Sequence, residues 1–66
     1  MNINAGETKI IKTAKFGDVK VWNWQDKEVH FEWKVRGQKE YGSINVVTGA
    51  VNNVSRDLLS AVSAEL

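Results

Sequence analysis

The 66-residue chain contains no cysteine and no proline, and only one histidine. Without cysteine there is no disulfide to restrain the unfolded chain and no thiolate to hold a metal. That absence fits a reducing compartment. Without proline, no strand is forced to a sheet edge and no ladder loses a donor. Long apolar runs are missing too. None approaches the ~18 residues of a membrane span, and the start "MNINAGETK" lacks the apolar stretch of a signal peptide. The expectation is a cytoplasmic protein. An excess of one charge is also lacking: nine Lys and Arg stand against eight Asp and Glu, for a net charge of +1. Proteins that hold nucleic acid by its phosphates usually show a clear basic excess, so any basic patch here must be local.

Catalytic signatures are absent as well. The single imidazole, His30, sits between Val29 and Phe31 with no partner fixed by the sequence. Ser43, Ser55, Ser60 and Ser63 stand in no nucleophile motif such as G-x-S-x-G. The segment "TGAVNN" lacks the glycine spacing and the lysine of a phosphate loop, and no metal-ligand spacing occurs. The reading is a non-enzyme with no catalytic residue, no cofactor and no metal.

What the chain does have is aromatic mass. Three Trp, two Phe and one Tyr serve a domain whose size buries only about 60% of its unfolded surface. All three tryptophans lie within "VWNWQDKEVHFEW", residues 21 to 33. Residues 1–8 are polar and are expected to be a flexible N-terminus, with a single small domain over 9–66. From Lys9 onward, β-type segments alternate with turn signals. "KIIKTAKF" ends at Gly17-Asp18, "VKVWNW" at "QDKE", "VHFEWKVR" at Gly37-Gln38, and "YGSINVV" at Thr48-Gly49. In the third segment Val29, Phe31, Trp33 and Val35 alternate strictly with His30, Glu32, Lys34 and Arg36, the period of a half-buried strand.

The tail changes period. Leu58, Leu59, Ala61, Val62 and Leu66 share one side of a helix, with Arg56, Ser60, Ser63 and Ala64 on the other. Ser55 is the expected N-cap, Val54 and Leu59 a hydrophobic staple, and Asp57 a first-turn charge that suits the helix dipole. The fold class is α+β: a four-stranded antiparallel meander closed by one C-terminal helix, ββββα, with a twisted small barrel as a variant.

Turn geometry fixes which side chains share a face. A type II′ turn at Gly37-Gln38 sets Val35 opposite Glu40, Trp33 opposite Gly42, Phe31 opposite Ile44 and Val29 opposite Val46. The "QDKE" turn is open. A two- or four-residue loop sends Trp22 and Trp24 to the core face; a three-residue loop sends Val19 and Val21 there and turns the tryptophans outward beside His30 and Glu32. Three-residue loops usually want glycine, which is missing here, so the inward placement is expected. Ile10, Ala14, Phe16, Val19 and Val21 then share the opposite face.

The function expected from this layout is a small protein-binding module, a regulator or inhibitor of a larger protein, docking through the sheet face away from the helix. Phe16, Val19 and Val21 are its apolar anchor, and Lys34, Arg36 and Tyr41 orient the partner. Trp22 and Trp24 are the alternative anchor. The other class is a sheet-based nucleic-acid binder using Lys12, Lys34, Arg36, Lys39 and Tyr41, in which cations track phosphates and the aromatic ring stacks on a base. A homodimer through the same patch is a third reading. Met1 at the start fits a complete short gene, of the kind that encodes regulators or accessory proteins of phages and mobile elements.

In layout, "VW" at 21–22, "VHFEW", the glycine hairpin at 37 and "DLL" at 57–59 resemble the small archaeal chromatin proteins. The resemblance is architectural and spans roughly residues 9 to 66. It implies a hairpin packed across a three-stranded sheet with a C-terminal helix. Those proteins are strongly basic, and this chain is not.

Overall fold

The computed structural model describes residues 3–24 and 27–65. Among these residues five strands form one antiparallel sheet in sequential order: β1 (Thr8–Thr13), β2 (Gly17–Trp24), β3 (Glu28–Val35), β4 (Gln38–Asn45) and β5 (Val51–Asn52). One helix, α1 (Arg56–Ser63), follows. The meander and its C-terminal helix are as expected, with the short β5 added. The sheet is open rather than closed into a barrel: β1 and β5 lie at opposite edges. The first hairpin continues the sheet and does not pack across it, which also separates this fold from the chromatin-protein layout.

The first and third hairpin turns have identifiable causes. Between β1 and β2 the turn falls at Ala14–Phe16, earlier than Gly17-Asp18. The Thr13 hydroxyl accepts from Phe16 N–H at 2.9 Å and donates to Gly17 C=O at 2.9 Å, and Gly17 has φ +68°. Between β3 and β4 the central residues are Arg36 and Gly37, with φ +53° and +82°. Two positive values are the mark of a type I′ turn, whose twist matches that of the strands. The expected Gly37-Gln38 turn is therefore corrected by one residue. Phe31 pairs with Gly42 rather than Ile44, and Trp33 with Glu40 rather than Gly42. The slip shifts each partner by two positions, so every side chain keeps its face.

The β2–β3 connection overturns the expected placement of the tryptophans. Trp24 pairs with Glu28 and Trp22 with His30, which is the three-residue loop. Val19, Val21 and Asn23 therefore point to the helix side, joined by Ile11, Val29, Phe31 and Trp33. Leu58 and Val62 of α1 complete this core with Val54 and Ile3. The physical reason is cover. An eight-residue helix is about 12 Å long at 1.5 Å per residue, enough to seal two valines beside Phe31 but not two further indoles.

Facing inward, Asn23 donates from Nδ2 to Ile3 C=O at 2.8 Å, while its Oδ1 is buried with no hydrogen-bond partner among the described residues. The backbone adds two bonds, Gly6 N–H to Asn23 C=O at 3.0 Å and Asn23 N–H to Glu7 C=O at 3.1 Å.

The fourth strand ends at Asn45, earlier than its apolar run implies. Asn45 Oδ1 accepts from Val47 and Thr48 N–H at 2.9 and 3.0 Å, folding the chain back into β5. Helix α1 begins as expected. Ser55 has φ −82° and ψ 162°, and its Oγ accepts from Leu58 N–H at 3.1 Å. Leu58 and Val62 are buried, while Arg56, Ser60, Ser63 and Ala64 are exposed. Leu66, assigned to the apolar side of the helix, lies outside the described residues.

Candidate functional site

Helix α1 and its flanks cover one side of the sheet; among the described residues no element covers the other. Strand register sets the rows across this open face. Trp24 and Glu28 pair with one another, and Glu28 with Asn45. The next row is Thr8, Trp22, His30, Ser43 and Asn52, and the next Ile10, Lys20, Glu32 and Tyr41. Lys12 with Asp18, and Lys34 with Lys39, end the face at the two hairpin tips.

Three large side chains remain largely in water here: Ile10 at 58% exposed, Trp24 at 56% and Tyr41 at 55%. Trp22 is half-buried because its ring stacks on the His30 imidazole, with centroids 5.5 Å apart and planes 14° from parallel. The Lys20 ammonium lies 5.6 Å from the Trp22 ring centroid, within cation–π range. His30 Nε2 is 3.2 Å from Glu28 Oε2, and Lys39 Nζ is 3.5 Å from Glu32 Oε1. The face thus runs from an aromatic end at Trp24 and Trp22 to a lysine-bearing end at the hairpin tips, with carboxylates distributed along it.

The residues expected to act divide between the two sides. Val19 and Val21 are fully buried in the core, and Phe16 sits half-buried in the first turn, packed against it. Their expected position as an exposed patch is corrected: the loop length that turns the tryptophans outward turns the valines inward. Lys12, Lys34, Lys39 and Tyr41 are together on the open face with Trp22 and Trp24. Arg36 is exposed in the type I′ turn at the end of that face. Lys20 was missed in the sequence reading, although it alternates with Trp22 along one strand.

A second feature adjoins the face. The β2–β3 ladder ends at Lys20↔Glu32, yet β2 reaches back to Gly17 and β3 runs on to Val35. The strands fork over their last residues. The fork holds a half-open cleft of about 480 Å³ lined by Phe16, Trp33, Asp18, Lys20, Glu32 and Lys34, beside Ile10 and Gly17.

Among the described residues no cluster of three His, Asp or Glu side chains is arranged to hold a metal ion. No helix there is long and apolar enough to cross a membrane. Comparison with protein-family models, with curated proteins and with solved structures finds no match to this chain.

Proposed function

We propose that this chain is a non-enzymatic protein-binding module that docks a larger protein through its open sheet face, acting as a regulator or inhibitor by occupying that protein's surface. The exposure of Trp24, Tyr41 and Ile10 carries this reading. A 66-residue domain has few large apolar side chains to fill its core. Leaving three of them in water is a cost that a partner surface offsets. Trp and Tyr are also the residue types that dominate binding energy at protein interfaces.

The charges favour protein over nucleic acid. Asp18, Glu28 and Glu32 sit among Lys12, Lys20, Lys34 and Lys39, so a polyanion laid along the face would meet carboxylates in three of its rows. Mixed charge around an aromatic centre suits a protein rim instead. One observation favours the nucleic-acid reading: Lys20 lies over Trp22, placing a cation beside a ring able to stack on a base.

Paired baits separate the two. Immobilised wild type and a Trp24→Glu/Tyr41→Glu variant are exposed to the same cell extract at low and high salt, with and without nuclease. The protein-docking reading expects a polypeptide held by the wild type at both salt levels, insensitive to nuclease and lost from the variant. Retention of nucleic acid that falls steeply with salt would replace that reading with the other. A polypeptide held equally by both baits would remove the open face from the site.

A further inference from the structure

We infer that the fork between β2 and β3 is the seat for one neutral, bulky apolar side chain, of the size of Phe or Leu, carried on an extended segment of the protein partner. This rests on the protein-docking reading above and names what that partner inserts.

Four observations meet at the fork. Its floor is aromatic, with Phe16 and Trp33 lining a half-open cleft of about 480 Å³, wide enough to admit one large side chain from solvent. Its walls carry alternating charge: Asp18 and Lys20 on β2, Glu32 and Lys34 on β3. With two carboxylates and two ammonium groups the walls carry no net charge, so neither a cation nor an anion gains net attraction there, whereas a neutral apolar group gains contact with the floor. The third observation is the backbone. Gly17–Val19 and Trp33–Val35 continue as strands beyond the last β2–β3 pair, so their peptide groups facing the fork have no ladder partner across it. Extended polypeptide presents the complementary donors and acceptors, as in strand addition at a sheet edge. Lastly, Ile10 at the rim is exposed on the same face as Tyr41, so a segment anchored in the fork passes directly onto the docking surface.

The test needs no natural partner. The full chain, labelled with ¹⁵N, is titrated with N-acetyl-phenylalaninamide, N-acetyl-alaninamide, N-acetyl-argininamide and inorganic phosphate. The phenylalanine compound is expected to give saturable shifts at the amides of Gly17, Asp18 and Lys34 and at the Trp33 indole N–H. It should bind about ten-fold more tightly than the alanine compound, the difference that burying an aromatic side chain supplies. Arginine compound and phosphate should do no better than alanine.

A Lys34→Trp variant, which fills the fork from an exposed position, should keep the dispersed spectrum and lose the shifts. Shifts confined to Trp22, Trp24 and Tyr41 would overturn the assignment, as would tighter binding of phosphate or of the arginine compound. Concentration-dependent shifts at the fork without ligand would overturn it in favour of a second copy of the chain. Failure here with the Trp24/Tyr41 variant still losing its partner sinks the fork alone. A partner held equally by both baits sinks the docking reading, whatever the fork binds.

Discussion

Single positions show how tightly this small sheet is constrained. Gly42 pairs with Phe31 on the core side, and the chain from Asn52 to Val54 passes directly over it. A Cβ there would lie inside the contact distance of the Val54 side chain and within 3.0 Å of the Asn52 and Asn53 carbonyl oxygens. The constraint is space, not backbone angle. Gly42→Ala is expected to cost about 1–3 kcal/mol, as overpacking does, read as a lower urea midpoint. Arg36 is the opposite case: it stands in open solvent at φ +53°, a left-handed conformation that costs a side chain other than Gly or Asn. Arg36→Asn makes the turn Asn-Gly, the preferred type I′ pair, and should raise stability by about 0.5–1 kcal/mol. An unchanged or lower midpoint would mean that Arg36 makes a compensating contact in solution.

These residues also mark the limit of sequence reading. The alternation from Val29 to Arg36 made the third strand and its two faces legible, because period two survives any turn that preserves parity. It could not separate an Arg36-Gly37 turn from a Gly37-Gln38 turn, since both keep the same faces. Nothing in "QDKE" fixes its loop length, so the side taken by Trp22 and Trp24 depended on what packs best beneath α1. The bond from Asn23 to Ile3, between residues 20 apart, helps to decide it and has no local signature. Lys34, Lys39 and Tyr41 were legible from the alternation of β3 and its hairpin; Lys20 was not, because it shares the face of Trp22. The outward placement of Trp22 and Trp24 was not legible either, because it is the complement of the core.

Among the elements, β5 and α1 depend most on tertiary support. β5 is two residues long and pairs only with Ser43 and Ile44, so neither propensity nor pattern announces it. Asn53 extends its hold, with Nδ2 donating to Tyr41 C=O at 2.7 Å from a left-handed φ of +57°. Helix α1 is tied to the first turn by Lys15 Nζ and Asp57 Oδ2, 2.6 Å apart. The Lys15 hydrogen bond and charge hold the Asp57 carboxyl below its ordinary value of 3.8, and the helix N-terminus acts in the same direction. A carboxylate whose pKa is lowered by folding stabilises the fold above its unfolded pKa. That contribution is lost as pH falls through the folded value. Wild type should therefore exceed Asp57→Asn in denaturant midpoint at neutral pH, and the gap should close as pH falls below 3.8. Both side chains are about two-thirds exposed, so the neutral-pH gap is small and added salt should reduce it. A gap that persists in acid would assign the loss to helix propensity instead.

At the scale of the whole molecule, one side of the sheet is buried beneath α1 and the other is open, and mutations should sort by side. At ~0.05–0.15 kcal/mol per residue, a domain of this size holds roughly 3–10 kcal/mol of stability. Val21 is fully buried between β1 and β3 on the helix side. Val21→Glu places a carboxylate there without a partner, a penalty of several kcal/mol that consumes most of that margin. The expected outcome is loss of the cooperative unfolding transition. Trp24→Thr and Tyr41→Thr exchange exposed aromatics for a residue that also favours strands. Each should stay within about 0.5 kcal/mol of wild type while weakening partner capture. Thermal unfolding of the three variants, each measured at two protein concentrations, reads both sides of the sheet at once. If Trp24→Thr or Tyr41→Thr lowers stability as strongly as a core change, and does so only at high concentration, the open face is closed by a second copy in solution. The aromatics would then be dimer core rather than a free docking surface. If both variants are neutral at either concentration, fold stability does not require Trp24 or Tyr41, and the second-copy reading is removed.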